Sequence, residues 1–148
     1  MVNREAILEF LPYAHIVKIS DEELEFITEY QEIEQALSKL FEGNTQIIIY
    51  TKGRDGAEIY TRTTKVHVPG NRLKVVDTTG AGDSFIGAFL YKLLENEIKQ
   101  RELGNLSETI LKDYLSFAND YAGYSTLGKR AIGSYATLSE IENFRMNK

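Results

Sequence analysis

Gln46-Ile47-Ile48-Ile49-Tyr50 is nearly continuous β-branched apolar sequence. A strand with one wet face alternates apolar and polar side chains. A run without alternation suits a strand covered on both faces, as in a parallel sheet. Upstream, Ala14-His15-Ile16-Val17-Lys18-Ile19 reads as a second strand. Between the two, Ser20 opens a helical segment through Leu24, Phe26 and Ile27, and a further helix spans Ile33 to Phe41 with Gly43 as its stop signal. Further upstream, the helical pattern Ile7-Leu8-x-Phe10-Leu11 is followed by Pro12. Downstream, residues 57–61 and 64–68 read as short strands, with Asp55-Gly56 as the turn signal that separates them from the apolar run.

Val75-Val76 leads into the loop Asp77-Thr78-Thr79-Gly80-Ala81-Gly82 and then into a strong helix. In that helix Phe85, Phe89 and Leu93 form one ridge, and Ile86, Leu90 and Leu94 the next. Two adjacent ridges predict a wide, well-buried apolar face, with Gly87 and Ala88 small enough to let a neighbour approach. Another helix is expected from about Ser107 to Tyr124, and a last one from Thr137, where Thr-x-x-Glu140 makes a capping box. Strands alternating with helices indicate an α/β sheet with helices on its faces. There is no internal repeat, low-complexity tract or Pro/Gly/Ser linker, so the 148 residues are expected to form a single domain, 1–148.

Composition narrows the chemistry. The chain is 43% hydrophobic and 26% charged, as ordinary globular domains are, which argues against disorder and coiled-coil arrays. With no cysteine, disulfide scaffolds, thiolate zinc sites, iron–sulfur clusters and cysteine nucleophiles are excluded. The two histidines, His15 and His67, rule out a three-histidine zinc centre. A net charge of −5 points away from a general nucleic-acid binder, whose affinity rests on phosphate contacts. Met1-Val2-Asn3-Arg4-Glu5 lacks the apolar stretch of a signal peptide, and no run approaches the roughly 18 apolar residues of a membrane span. The expectation is a soluble, cytoplasmic protein with no membrane partner.

Asp77-Thr78-Thr79-Gly80-Ala81-Gly82-Asp83-Ser84-Phe85 is the most informative stretch. A small-residue loop opens onto a helix N-terminus, where free N–H groups and the helix dipole favour an anion. An ionised Asp83 beside a bound phosphate makes sense if it orients a substrate hydroxyl and accepts its proton during phosphoryl transfer. The plainer alternative is that Asp83 only complements the dipole and the glycines only turn the chain. Walker A is absent, the dinucleotide fingerprint lacks its third glycine at Phe85, and a nucleophile elbow around Ser84 fails at Ile86.

Thr51-Lys52-Gly53-Arg54-Asp55-Gly56 ends the apolar strand, the place where α/β proteins put ligands. Thr51, the loop amides and the two cations could hold nucleotide phosphates; a hairpin turn with solvated charges is the alternative. Lys18-Ile19-Ser20-Asp21-Glu22-Glu23 contains a capping box that explains Ser20 and Glu23 structurally. Alternatively, Glu23 holds a magnesium-bound water at a phosphate site. His15 and His67 read as structural.

Together these segments resemble the phosphofructokinase-B type, or ribokinase-like, carbohydrate kinases, and bacterial fructokinases above all. The resemblance runs from about Ile7 to Phe144. The Asp77–Phe85 segment looks like the family's C-terminal signature, and it follows Lys18-x-Ser20-x-x-Glu23 and Thr51-x-Gly53-x-x-Gly56 in the family's order. The resemblance implies the C-terminal part of a ribokinase-like three-layer α/β/α fold. It implies Asp83 as catalytic base, with Gly80, Ala81 and Gly82 as the anion hole. It assigns Thr51, Gly53 and Gly56 to the nucleotide-phosphate loop and Asn119 to the adenine. Glu23 would organise Mg2+ through water, and Asp77 and Thr79 match part of a monovalent-cation site that holds K+ in many relatives. ATP and a small sugar, with fructose expected, are the implied ligands.

The sequence departs from the family pattern in places. Ser20 stands where many ribokinases carry asparagine. Gly133 and Ala136 stand where a family segment that contributes to the cation site usually bears prolines. The chain resembles only the C-terminal half of the family, without the half that supplies most sugar contacts and the lid sheet. A fragment, a split-gene product and a natural truncation all fit that. So does a nucleotide-binding or interaction module without catalysis. An edge strand left by the missing half predicts self-association or pairing with an N-terminal half.

Overall fold

The computed structural model of the chain describes residues 3–128 and 135–148. Asn3 accepts hydrogen bonds from the amides of Glu5 and Ala6 and so caps α1 (Arg4–Phe10). Pro12 lies in the short 3₁₀ turn Leu11–Tyr13, ahead of β1 (Ile16–Ser20). Helices α2 (Asp21–Thr28) and α3 (Ile33–Leu40) carry the chain back to β2 (Ile47–Thr51). Strands β3 (Ala57–Tyr60) and β4 (Lys65–Val68) follow. A long loop leads to α4 (Ala81–Glu95), and the 3₁₀ segment Gln100–Asn105 precedes α5 (Glu108–Ser125) and α6 (Leu138–Met146). The expected caps form: Ser20 with Glu23, Ser107 with the Ile110 amide, and Thr137 with Glu140.

The sheet order is β1-β2-β3-β4. β1 and β2 are parallel, joined across α2 and α3, whereas β2–β3 and β3–β4 are antiparallel. The sheet is therefore mixed, not parallel throughout. Burial on both faces produces the unbroken apolar run, while strand direction follows from the connection: two helices before β2, a tight turn after it. Ile47 and Ile49 enter one core with Phe85 and Phe89 of α4 and Leu111 and Leu115 of α5. Ile48 and Tyr50 enter the other with Ile19 of β1, Leu24 of α2, and Ala36 and Leu40 of α3. Helices thus cover both faces, giving three layers. Each fully buried isoleucine contributes about 1.5–3 kcal/mol.

The two-ridge reading of α4 is corrected. Phe85, Phe89 and Leu93 are buried, but Leu90 and Leu94 are 41% and 77% exposed. A Cβ on Gly87 would meet nothing within 4 Å, so no neighbour among the described residues uses that small residue. The periodicity records how wide the apolar face is; among the described residues the second ridge is covered only at Ile86, which packs partly buried against the core. At the other end of the core, α6 is pinned to α5. Asp120, nearly buried, accepts hydrogen bonds from Arg145 (3.1 Å) and Lys148 of the α6 end and from Asn71 (3.1 Å). Among the described residues no helix is long and apolar enough to cross a membrane.

Candidate active site

The parallel register sets Ser20 opposite Thr51 and Lys18 opposite Ile49. The loops that leave β1 and β2 therefore start at one level, at the C-terminal ends of the strands. Side chains alternate along β1: Ile16 packs into the α4/α5 core and Ile19 into the α2/α3 core. Lys18 lies on the α4 side, and its Nζ is close enough to Gly82 that a Cβ there would sit 3.2 Å from it.

The loop entering α4 is tied down from both sides. Thr79 donates its N–H to Asp77 Oδ1 at 2.8 Å, and hydrogen bonding from Thr79 holds the Asp77 carboxyl below its ordinary value. The N–H groups of Val76 and Asp77 both reach the carbonyl of Thr126 beyond α5, at 2.8 and 3.1 Å. Gly80 caps the helix at φ 77°, ψ 5°, a left-handed conformation that glycine adopts without the usual Cβ penalty. Ala81 N–H donates to the Thr78 carbonyl (3.1 Å), so its amide is already engaged. Among the described residues the N–H groups of Gly80, Gly82 and Asp83 have no acceptor. Those three amides, rather than 80–82, are free for an anion. Asp83 is exposed beside them in the first turn.

The 51–56 loop is a closed turn. Lys52 N–H donates to the Gly56 carbonyl at 2.9 Å, and Asp55 N–H to the Lys52 carbonyl at 2.9 Å. Gly56 has φ 96° and ψ −149°, and a Cβ there would collide with the Val68 carbonyl. Gly70 packs in turn against the Arg54 carbonyl, so the 53–56 and 68–70 backbones are in contact. The expectation that both loop cations serve phosphates fails for Lys52. Its ammonium is bound to Glu58 at 2.9 Å, and Glu58 also accepts from Tyr60 Oη at 2.7 Å. Burial pulls the Glu58 carboxyl upward, but these bonds outweigh it and the net shift is downward. Burial and Glu58 push the Tyr60 phenol well above its ordinary range. Arg54 stays exposed.

Glu23 makes the capping box: Ser20 N–H donates to its Oε2 at 2.8 Å, and its own N–H reaches Ser20 Oγ at 3.3 Å. Burial raises the Glu23 carboxyl; the Ser20 bonds and the nearby Lys18 ammonium lower it further than burial raises it. Only Oε2 is engaged by the cap, so Oε1 remains available to an oxygen-coordinated cation. Among the described residues no three His, Asp or Glu side chains cluster as a metal site. Any divalent ion there would need phosphate and water oxygens for the rest of its shell.

Asn119 is 9% exposed and donates through Nδ2 to the Pro69 carbonyl at 3.1 Å. Asn71 donates to the Asn119 carbonyl at 3.2 Å, and Gly123 leaves room for Asn71 and Leu73. The 68–73 segment thus connects the Gly56 turn to α5. A groove of about 600 Å³ opens there, lined by Val68, Pro69, Ser116 and Asn119 among others. The structure brings Thr51, Gly53, Gly56 and Asn119 into one chain of contacts, and Lys18 beside the Asp83 turn. Lys18 and Asn71 were missed as site candidates. A signal for Lys18 exists: a charge on the inward face of a strand that otherwise packs isoleucines. His67 lies 3.7 Å from Glu58, and the His15 ring touches the Gln100 amide. Gly133 lies outside the described residues.

These layers, with a glycine-capped helix opening at the strand ends, define a ribokinase-like α/β domain. Residues 2–137 match the pfkB family carbohydrate kinases, and the chain belongs to that family. It is 34% identical over 139 residues to fructokinase-1 of Zea mays, covering 93% of this chain and 42% of that protein. It is 36% identical over 128 residues to fructokinase-2 of Solanum lycopersicum, covering 86% and 38%. The Vibrio cholerae fructokinase solved with fructose, ADP and calcium superposes with a TM-score of 0.82 at 29% identity, over 95% of this chain and 44% of that one. The Xylella fastidiosa fructokinase with bound ATP gives 0.91 at 24% identity, over 99% and 47%, a likeness of fold. The chain thus spans less than half the length of these relatives.

Proposed function

We propose that this chain is the nucleotide-binding and phosphoryl-transfer half of an ATP-dependent sugar kinase, with fructose as the sugar. The observation that carries this is Asp83 in the first turn of a 15-residue helix, beside the amides of Gly80, Gly82 and Asp83, which have no acceptor among the described residues. The amides bind the oxygens of the transferred phosphoryl group and, with the helix dipole, stabilise its developing charge. Asp83 orients the sugar hydroxyl and accepts its proton as that oxygen bonds to the γ-phosphorus and the bond from that phosphorus to the bridging oxygen breaks, releasing ADP. Thr51 and the Gly53–Gly56 turn carry the remaining phosphates, and the base lies in the groove beside Asn119. Glu23, through its Oε1 and water, would hold Mg2+, which offsets phosphate charge when bound. Asp77 and Thr79 would contribute to a K+ site. A cytoplasmic reaction, where ATP and free sugars meet, fits this reading.

Among the described residues β1 and β4 each pair on one side only, and the rest of the kinase is placed at the β1 edge. That open edge, with exposed Leu90 and Leu94, also supports self-association when the other half is absent. Light scattering that finds only monomer would count against this second reading. The nucleotide site is tested by calorimetric titration with Mg-ADP in potassium buffer. Saturable binding that Asn119→Ala weakens is expected. No binding, even with an N-terminal half supplied, would show the assignment to be wrong.

A further inference from the structure

Given a phosphoryl site at the 80–83 turn, we propose that Lys18 is a phosphate ligand of that site, its ammonium holding the terminal phosphates of the nucleotide against the N-terminus of α4. Lys18 stands in β1 between residues that pack into the two cores, on the face covered by α4. An apolar side chain at this strand position would pack like its neighbour Ile16. Instead the lysine stem runs to the end of α4, and a Cβ on Gly82 would sit 3.2 Å from Nζ and 3.8 Å from Cε. Among the described residues Lys18 makes no ion pair and no hydrogen bond. Glu23 feels its charge without pairing with it.

This placement is electrostatically wrong for the protein alone. The N-terminus of a helix carries a partial positive charge, and carboxylates, not ammonium groups, are stabilised there. Here an ammonium lies beside Gly82, in a turn whose Gly80, Gly82 and Asp83 amides have no acceptor among the described residues, and Gly82 supplies no side chain to fill the space. A polyanion placed between them is attracted by both and outweighs their mutual repulsion. Its oxygens accept from the Gly80, Gly82 and Asp83 amides on one side and from Nζ on the other. The cation also lowers the repulsion between the phosphates and Asp83, which the reaction needs ionised. Lysine suits this use because it acts as a point charge with three rotatable donors.

The test is titration of the full chain and its Lys18→Met and Lys18→Arg variants with Mg-ATP, and separately with adenosine. Lys18→Met is expected to weaken Mg-ATP binding about tenfold to a hundredfold, the range for losing a hydrogen bond to a charged group. Adenosine binding is expected to stay within about twofold, and Lys18→Arg to retain most of the Mg-ATP affinity. Mg-ATP binding by Lys18→Met equal to that of the unsubstituted chain would overturn the role of Lys18 and leave the phosphoryl site standing. Parallel loss of adenosine binding would also overturn it, by showing a structural role. Failure of the unsubstituted chain to bind Mg-ATP, even with an N-terminal half supplied, would overturn both.

Discussion

Ser20 lies directly opposite Thr51 across the parallel pair of β1 and β2. One residue caps the helix that carries Glu23, and the other opens the turn that carries Gly53 and Gly56. A single register thus sets two of the three loops of the site at the same height. The third, at the N-terminus of α4, is tied to the end of α5 by Val76 and Asp77 on the Thr126 carbonyl, and Gly82 there lies beside Lys18 of β1.

The Gly56 turn is predicted to tolerate no side chain. With φ at 96° and the Val68 carbonyl in the way, Gly56→Ala should cost about 2 kcal/mol or more in a urea melt. Gly82→Ala should behave differently. Among the described residues its Cβ would meet only the flexible end of Lys18, so stability should change by less than about 1 kcal/mol. Mg-ATP affinity should nevertheless fall by about tenfold, because the new methyl group intrudes where phosphate and ammonium meet.

The α4 ridges are predicted to separate cleanly by energy. Phe89 is fully buried, with its ring 6.4 Å from Tyr114 in an edge-on arrangement. Phe89→Ala should cost about 3–5 kcal/mol, whereas Leu94→Ala should lie within about 0.5 kcal/mol of the parent chain. Equal effects, measured by denaturant unfolding, would return the helix to a two-ridge burial.

How much of this was legible depends on how local the cause is. The capping boxes at Ser20 and Thr137 are hydrogen bonds between residues three apart, so sequence reveals them. The run Ile47–Tyr50 reveals two covered faces because burial acts residue by residue. It does not reveal strand direction, which depends on the connections. Leu90 and Leu94 look like Phe89 and Leu93 in sequence; what differs is whether another element covers them. The 3₁₀ segment Gln100–Asn105 has no period to read. Within the site, the glycine loop and Asp83 stood out because a helix start is local. The capture of Lys52 by Glu58 across the β2–β3 turn, the engagement of Ala81 by Thr78, and the approach of Lys18 to Gly82 depend on packing.

Asp120 is predicted to be the keystone of the α5–α6 contact. Its side chain is 4% exposed and faces Arg145, Lys148 and Asn71. Asp120→Ala leaves these donors without their acceptor and should cost about 2–3 kcal/mol, less than a fully buried pair because both cations reach solvent. A loss below about 0.5 kcal/mol would show that α6 is held by the packing of Ile141 and Phe144 rather than by this network.

Glu58 should give the fold an acid-sensitive component. Its folded carboxyl titrates below the ordinary 4.5, so the folded state binds fewer protons than the unfolded one. The resulting stability is present above that ordinary value and is lost as pH falls through the lower folded one. Glu58→Gln should flatten the stability profile below about pH 4.5 while lowering stability at neutral pH by about 1 kcal/mol. An unchanged acid limb would show that the Lys52–Glu58–Tyr60 network does not carry that dependence.

The central claim is that Asp83 takes the sugar proton in phosphoryl transfer. The most direct measurement is ATP-dependent phosphorylation of fructose by this chain combined with an N-terminal kinase half, with and without Asp83→Asn. Turnover should fall by about 10²–10⁴ in the variant, the range for removing a general base, with Mg-ADP affinity retained. Turnover within about tenfold of the parent would contradict the account.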